Sequence, residues 1–93
     1  DAGGLSLALP YPSPARAGFR VEFELPRAVT IRLSLLDVQG REVAVLAHGP
    51  RAAGRHAATW DGAAGGSRLP AGLYFVRLAT PDQARIHKVV VSG

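Results

Sequence analysis

Three histidines, seven carboxylates and five serines are the side chains that could carry chemistry in this chain of 93 residues, which has no cysteine. The missing thiols remove disulfide frameworks, thiolate zinc sites and cysteine nucleophiles together. A histidine zinc site wants close pairs, such as i and i+2 on one strand. His48, His56 and His87 offer none. His56 is expected to pack beside Trp60, with His48 and His87 at the surface. Asp61 stands before Gly62 and could join a calcium site, which needs six or more oxygens. Ala63, Ala64 and Ser67 follow instead of further acids, so Asp61 is expected to cap a turn. The serines sit in no G-x-S-x-G elbow. Glu22 and Glu24 fall on one strand face about 7 Å apart, with Arg20 beside them. That reads as a solvated charged face and not as a glycosidase pair. Gly65-Gly66 has no strand–turn–helix frame, so it is no phosphate loop. The expectation is a chain without catalysis, cofactor or metal.

Binding chemistry is nearly as sparse. A sugar module needs exposed aromatic platforms, and only Tyr11 and Phe75 look free. The net charge is +4, from ten arginines and the single lysine, Lys88, against seven acids. Nucleic acid is not expected as a partner, because the arginines are scattered and several share a strand face with glutamate, whereas a phosphate footprint is a clustered patch. With 47% hydrophobic and 19% charged residues the chain is globular. No run approaches the roughly 18 apolar residues of a membrane helix. Residues 1–4 carry no signal-peptide pattern and read as linker, leaving 5–93 as one domain cut from a longer polypeptide.

The elements that must position any site are strands. Residues 18–25 place Phe19, Val21, Phe23 and Leu25 on an oily face and Arg20, Glu22 and Glu24 on a wet one. Pro26 ends the strand, since proline cannot donate to a ladder. Residues 28–37 repeat the pattern through Val29, Ile31, Leu33 and Leu35. Asp37-Val38-Gln39-Gly40-Arg41 then forms a type I turn with Gly40 left-handed, and residues 42–46 return as a strand. His48-Gly49-Pro50 opens a loop that Ala53-Gly54 closes. Residues 55–60 point His56, Ala58 and Trp60 one way. Residues 62–72 form a long loop of small side chains. Residues 73–80 direct Tyr74, Val76 and Leu78 inward. Residues 85–91 form a strand of ambiguous facing, with Ile86 and Val90 on one side and Val89 and Val91 on the other. Leu5, Leu7 and Leu9 make a short first strand, followed by an extended segment held by Pro10, Pro12 and Pro14. Seven short strands with regular turn signals predict an all-β, seven-stranded antiparallel immunoglobulin-like sandwich around Trp60.

Several stretches together resemble the C-terminal sorting domains of type IX secretion. They are Tyr11-Pro12-Ser13-Pro14, Leu25-Pro26, Val29-Thr30-Ile31-Arg32-Leu33 and Leu36-Asp37-Val38-Gln39-Gly40-Arg41-Glu42-Val43. Ala53-Gly54-Arg55-His56, Thr59-Trp60-Asp61-Gly62, residues 69–78 and His87-Lys88-Val89-Val90-Val91 complete the set. The part from Asp37 to Leu78 is also similar to the immunoglobulin-like domain of flagellar hook-cap proteins. The proline-rich lead-in and the closing Lys88-Val89-Val90-Val91 favour the sorting resemblance. Ser13 replaces the family's usual Asn, Ser92-Gly93 its basic end, and the loop after Asp61 lacks its second acid.

The sorting resemblance implies a non-catalytic handle on an exported bacterial protein, recognised by outer-membrane secretion machinery and joined to an upstream passenger domain. The route would run through the periplasm to the cell surface or beyond. Lys88, Val89, Val90 and Val91 would then be the partner-binding residues, acting through strand addition at a sheet edge. The same strand can equally be an ordinary edge, guarded by Lys88. Asp37, Gly40, Trp60, Asp61, Gly62, Gly72 and Tyr74 form the family's turn and core motif. Two other roles fit the same fold: a hook-cap-like assembly domain, and a sugar-binding accessory module.

Overall fold

Alternation of apolar and polar residues resolves into strands throughout the computed structural model, which describes residues 4–12, 15, 18–64 and 67–92. The strands are β1 (Ser6–Leu7), β2 (Phe19–Leu25), β3 (Val29–Leu36), β4 (Glu42–Arg51), β5 (Gly54–Trp60), β6 (Ala63–Ala64), β7 (Ser67–Arg68), β8 (Gly72–Ala79) and β9 (Ala84–Val91). No helix occurs among the described residues. Consequently none is long and apolar enough to cross a membrane.

Seven strands build two antiparallel sheets, ordered β1-β2-β5 and β4-β3-β8-β9, and β6 and β7 pair as a small separate hairpin. β2 is the plainest case of cause and effect. Its even apolar spacing buries Phe19, Val21, Phe23 and Leu25 and leaves Arg20, Glu22 and Glu24 in solvent. Ile31, Leu33 and Leu35 of β3 and Tyr74, Val76 and Leu78 of β8 are buried in the same way. These side chains, with Trp60, Val89 and Val91, form one apolar cluster fed by both sheets. Burial of this kind stabilises at about 25 cal/mol per Å² of apolar surface.

Three expectations change. β4 does not stop at residue 46 but runs to Arg51, with Gly49 opposite Ile31 and Pro50 opposite Thr30. Two register shifts leave Val43 and Leu46 as additional residues in β4, and such bulges erase the alternation that a sequence reading needs. Pro50 is tolerated because β4 is the outer strand of its sheet. The long loop from Gly62 contains β6 and β7, which at two residues each are too short to give a periodic signal. Leu9 is 66% exposed and lies outside the short strand β1. The Gly65-Gly66 pair, Ser13, Pro14 and most of the proposed linker lie outside the described residues.

Candidate functional site

The turns that fix the frame are settled by short hydrogen bonds. Asp37 Oδ1 accepts from the amides of Gln39 (2.9 Å) and Arg41 (3.0 Å). The Gly40 amide donates to the Asp37 carbonyl at 2.9 Å. Gly40 sits at φ 84°, the left-handed conformation that the turn requires. The bonds from the Arg41 amide and side chain, with that from Gln39, hold the Asp37 carboxyl below its usual range. Trp60 is buried against Phe19, ring centroids 5.3 Å apart, and its Nε1–H donates to the Ala63 carbonyl at 2.8 Å. Asp61 Oδ1 accepts from the Ala63 amide at 3.0 Å, so it does cap its turn. Gly62 follows, and its carbonyl accepts from the Leu69 amide at 3.2 Å. Gly72 opens β8, and the buried Tyr74 donates from its hydroxyl to the Pro70 carbonyl at 2.7 Å. A tyrosine tied to backbone just upstream is a recurrent device of immunoglobulin-like domains.

Among the described residues no chemistry-bearing set converges elsewhere. The described residues contain no group of three or more histidines and carboxylates spaced for a metal. Glu22 faces Arg20 at 3.5 Å and Glu24 faces Arg55 at 4.0 Å, an exposed face of loose ion pairs. Two histidines depart from expectation. His56 packs on Phe23, its register partner, at 5.3 Å and bonds the Ala52 carbonyl, so Trp60 is not its ring neighbour. His87 is not a free surface residue. Its Nε2 lies 2.6 Å from the Leu7 carbonyl and must carry the proton of that bond. The contact joins β9 of one sheet to β1 of the other.

β9 remains. A turn in which the Thr80 amide bonds the Gln83 carbonyl at 2.8 Å folds it back along β8. The facing that the sequence leaves open is decided by burial. Val89 and Val91 are 1% and 5% exposed, whereas Ile86 and Val90 are 53% and 43% exposed. Because β9 ends its sheet, one row of its backbone groups has no strand of the described residues opposite. Alternation from the Thr80–Gln83 bond assigns that outward row to Ile86, Lys88 and Val90. Ala15 confirms the parity from the other end. Its amide donates to the Val90 carbonyl at 2.8 Å, and its carbonyl accepts from the Ser92 amide at 2.7 Å. The lead-in segment thus covers the Val91 end of the edge in a parallel bridge. No hydrogen bond joins the outward groups of Ile86 or Lys88 to another described residue.

Beside this edge the outer face of the sheet forms a grid. One row runs Ile86, Arg77, Ser34, Val45, and the next runs Lys88, Phe75, Leu36, Glu42. Glu42 is claimed by Arg32 at 2.6 and 2.9 Å and by the Ser34 hydroxyl at 2.5 Å. Bonds from Arg32, then from Ser34, hold its carboxyl at about 2. Arg77 Nε is buried without a partner, and Lys88 has no ion-pair or hydrogen-bond partner among the described residues. Phe75 is half-buried beside Leu36, so it is less free than a sugar platform requires, and Tyr11 is tied to Glu22 at 3.2 Å. A sequence reading has no means of finding Ala15 or Arg77, whose roles depend on which strands become neighbours.

A family model described as the FlgD Ig-like domain matches residues 13–83. No curated protein and no solved structure gives a significant match. The matched span takes in both sheets' long strands up to β8, and the chain belongs to the FlgD Ig-like domain family.

Proposed function

From that membership we propose that the two sheets close as an immunoglobulin-like sandwich and that the domain is a non-catalytic docking module. Its partner adds along the outward edge of β9. The observation that carries the reading is the backbone row at Ile86 and Lys88, which no described residue fills on this edge of the sheet. A strand edge of this kind supplies main-chain hydrogen bonds to a partner. Lys88, Val89, Val90 and Val91 divide the work: Val89 and Val91 anchor the strand in the core, while Lys88 and Val90 face outward. In this reading the domain is the sorting handle of an exported bacterial protein. Outer-membrane secretion machinery engages β9, and the passenger domain of the same chain travels through the periplasm to the cell surface.

A fusion of this domain to a reporter in a bacterium with type IX secretion tests the reading. The intact fusion should reach the surface, and one lacking residues 88–93 should stay in the periplasm with its reporter folded. Export of the shortened fusion contradicts the sorting role. The family match favours a second reading, a hook-cap-like assembly domain, in which β9 docks onto a neighbouring structural subunit.

A further inference from the structure

We propose that the strand accepted by β9 runs antiparallel to it and carries a carboxylate opposite Lys88 and, two residues further on, an apolar side chain that packs on Ile86. The inference rests on the reading of β9 as a docking edge and specifies the chemistry of what docks there. Three observations define it. The edge is usable only over a short window, because Ala15 already holds the Val90 carbonyl and the Ser92 amide. Within that window Lys88 stands next to the exposed aliphatic side chain of Ile86 on one face, with Phe75 beside it on β8. The charge of that face is unbalanced toward positive. Its one described acid, Glu42, is occupied by Arg32 and Ser34 and also feels the charge of Arg77, leaving Lys88 without an anion.

Directly opposed residues of neighbouring strands interact through their side chains, and like charges there destabilise. That decides against a second copy as the occupant. A two-fold pairing of β9 strands aligned on Lys88 opposes two ammonium groups, and any other two-fold register still gathers the cations of both copies on one face. An acidic residue two positions from an aliphatic one reverses each term. The carboxylate meets Lys88, and the aliphatic group covers Ile86. The spacing is set by the pleat, since only alternate partner residues share the outer face.

The probe is a capped hexapeptide of threonines with glutamate at its second position and valine at its fourth, the order in which an antiparallel strand meets Lys88 and then Ile86. Its comparison carries lysine at the second. Titrated into the isotope-labelled full chain and followed by amide NMR, the glutamate peptide should shift the Ile86 and Lys88 amides. It should bind roughly tenfold more tightly than the lysine peptide, the combined effect of gaining one cross-strand ion pair and losing one repulsion. Lys88→Glu should invert the preference and Lys88→Gln abolish it. Both replace an exposed side chain, and unchanged spectra elsewhere confirm the fold. Shifts that miss β9, equal affinities, or a preference that survives Lys88→Glu overturn the inference. Export of the fusion without any peptide preference overturns the charge rule alone. Peptide preference in a domain that fails to export upholds the rule and removes the sorting role.

Discussion

Gly18 lies at φ 112°, where side chains are strained, and a Cβ added there would overlap the carbonyl oxygen of Trp60. The close approach is what lets Phe19 sit opposite Trp60 in the register of β2 with β5. Both penalties act at once, backbone strain and collision with backbone atoms that cannot swing away. Gly18→Ala should therefore destabilise the domain by about 2–4 kcal/mol, measured as a lower urea midpoint with an unchanged slope. A loss under half a kcal/mol would mean that the two strands do not meet at this point. The contrast with Gly40 shows what is legible at this scale. Asp37-Val38-Gln39-Gly40 announces its turn because every group that needs the glycine is within four residues. Gly18 reads as an ordinary strand start because its constraint is a carbonyl on a strand far along the chain. His87 is the same lesson for a polar group: the sequence leaves its strand's facing open and puts it at the surface, and only the packing of β1 supplies the Leu7 carbonyl that makes it a tie between sheets.

Among the elements, β3 and β4 are held by more than their ladder. Arg32 and Ser34 project from β3 onto Glu42 of β4 and keep its carboxyl at about 2 against an ordinary 4.5. A carboxyl depressed on folding stabilises fully above its unfolded pKa, and that contribution drains away as pH falls through the folded value. The pair should thus support the domain fully above about pH 4.5 and progressively less toward pH 2. Glu42→Gln should lower the urea midpoint at pH 7 and flatten its fall between pH 5 and 2. An acid limb as steep as the parent's would place the linked carboxylate elsewhere. Strands with clean alternation, β2, β3 and β8, are visible in the sequence, because one buried face imposes period two. β4 is visible only in its first half. Its two bulges, with Gly49 and Pro50, break the period that the strand itself does not abandon. β9 is visible as a strand but not in its facing, since Val89-Val90-Val91 is apolar at consecutive positions and only the opposite sheet selects which valines enter the core.

For the whole molecule, the two sheets share one apolar cluster, and the lead-in segment stitches them at their common margin. Residues 8 and 11 bond β2 in one sheet, then Ala15 bonds the end of β9 in the other. Family membership follows from the matched span and agrees with the two antiparallel sheets that the strand pattern predicts. The expected route of export rests on resemblance, and its physical requirement is a single one, an edge of β9 that is open in the folded state. Residue-resolved amide hydrogen exchange on the free chain examines that requirement most directly. The Ile86 and Lys88 amides should exchange at least roughly a hundredfold faster than those of His87, Val89 and Ser92, which are bonded to β8 or to Ala15. Equal, slow exchange at all five positions would mean that the edge is already occupied, and the docking account would fail with it.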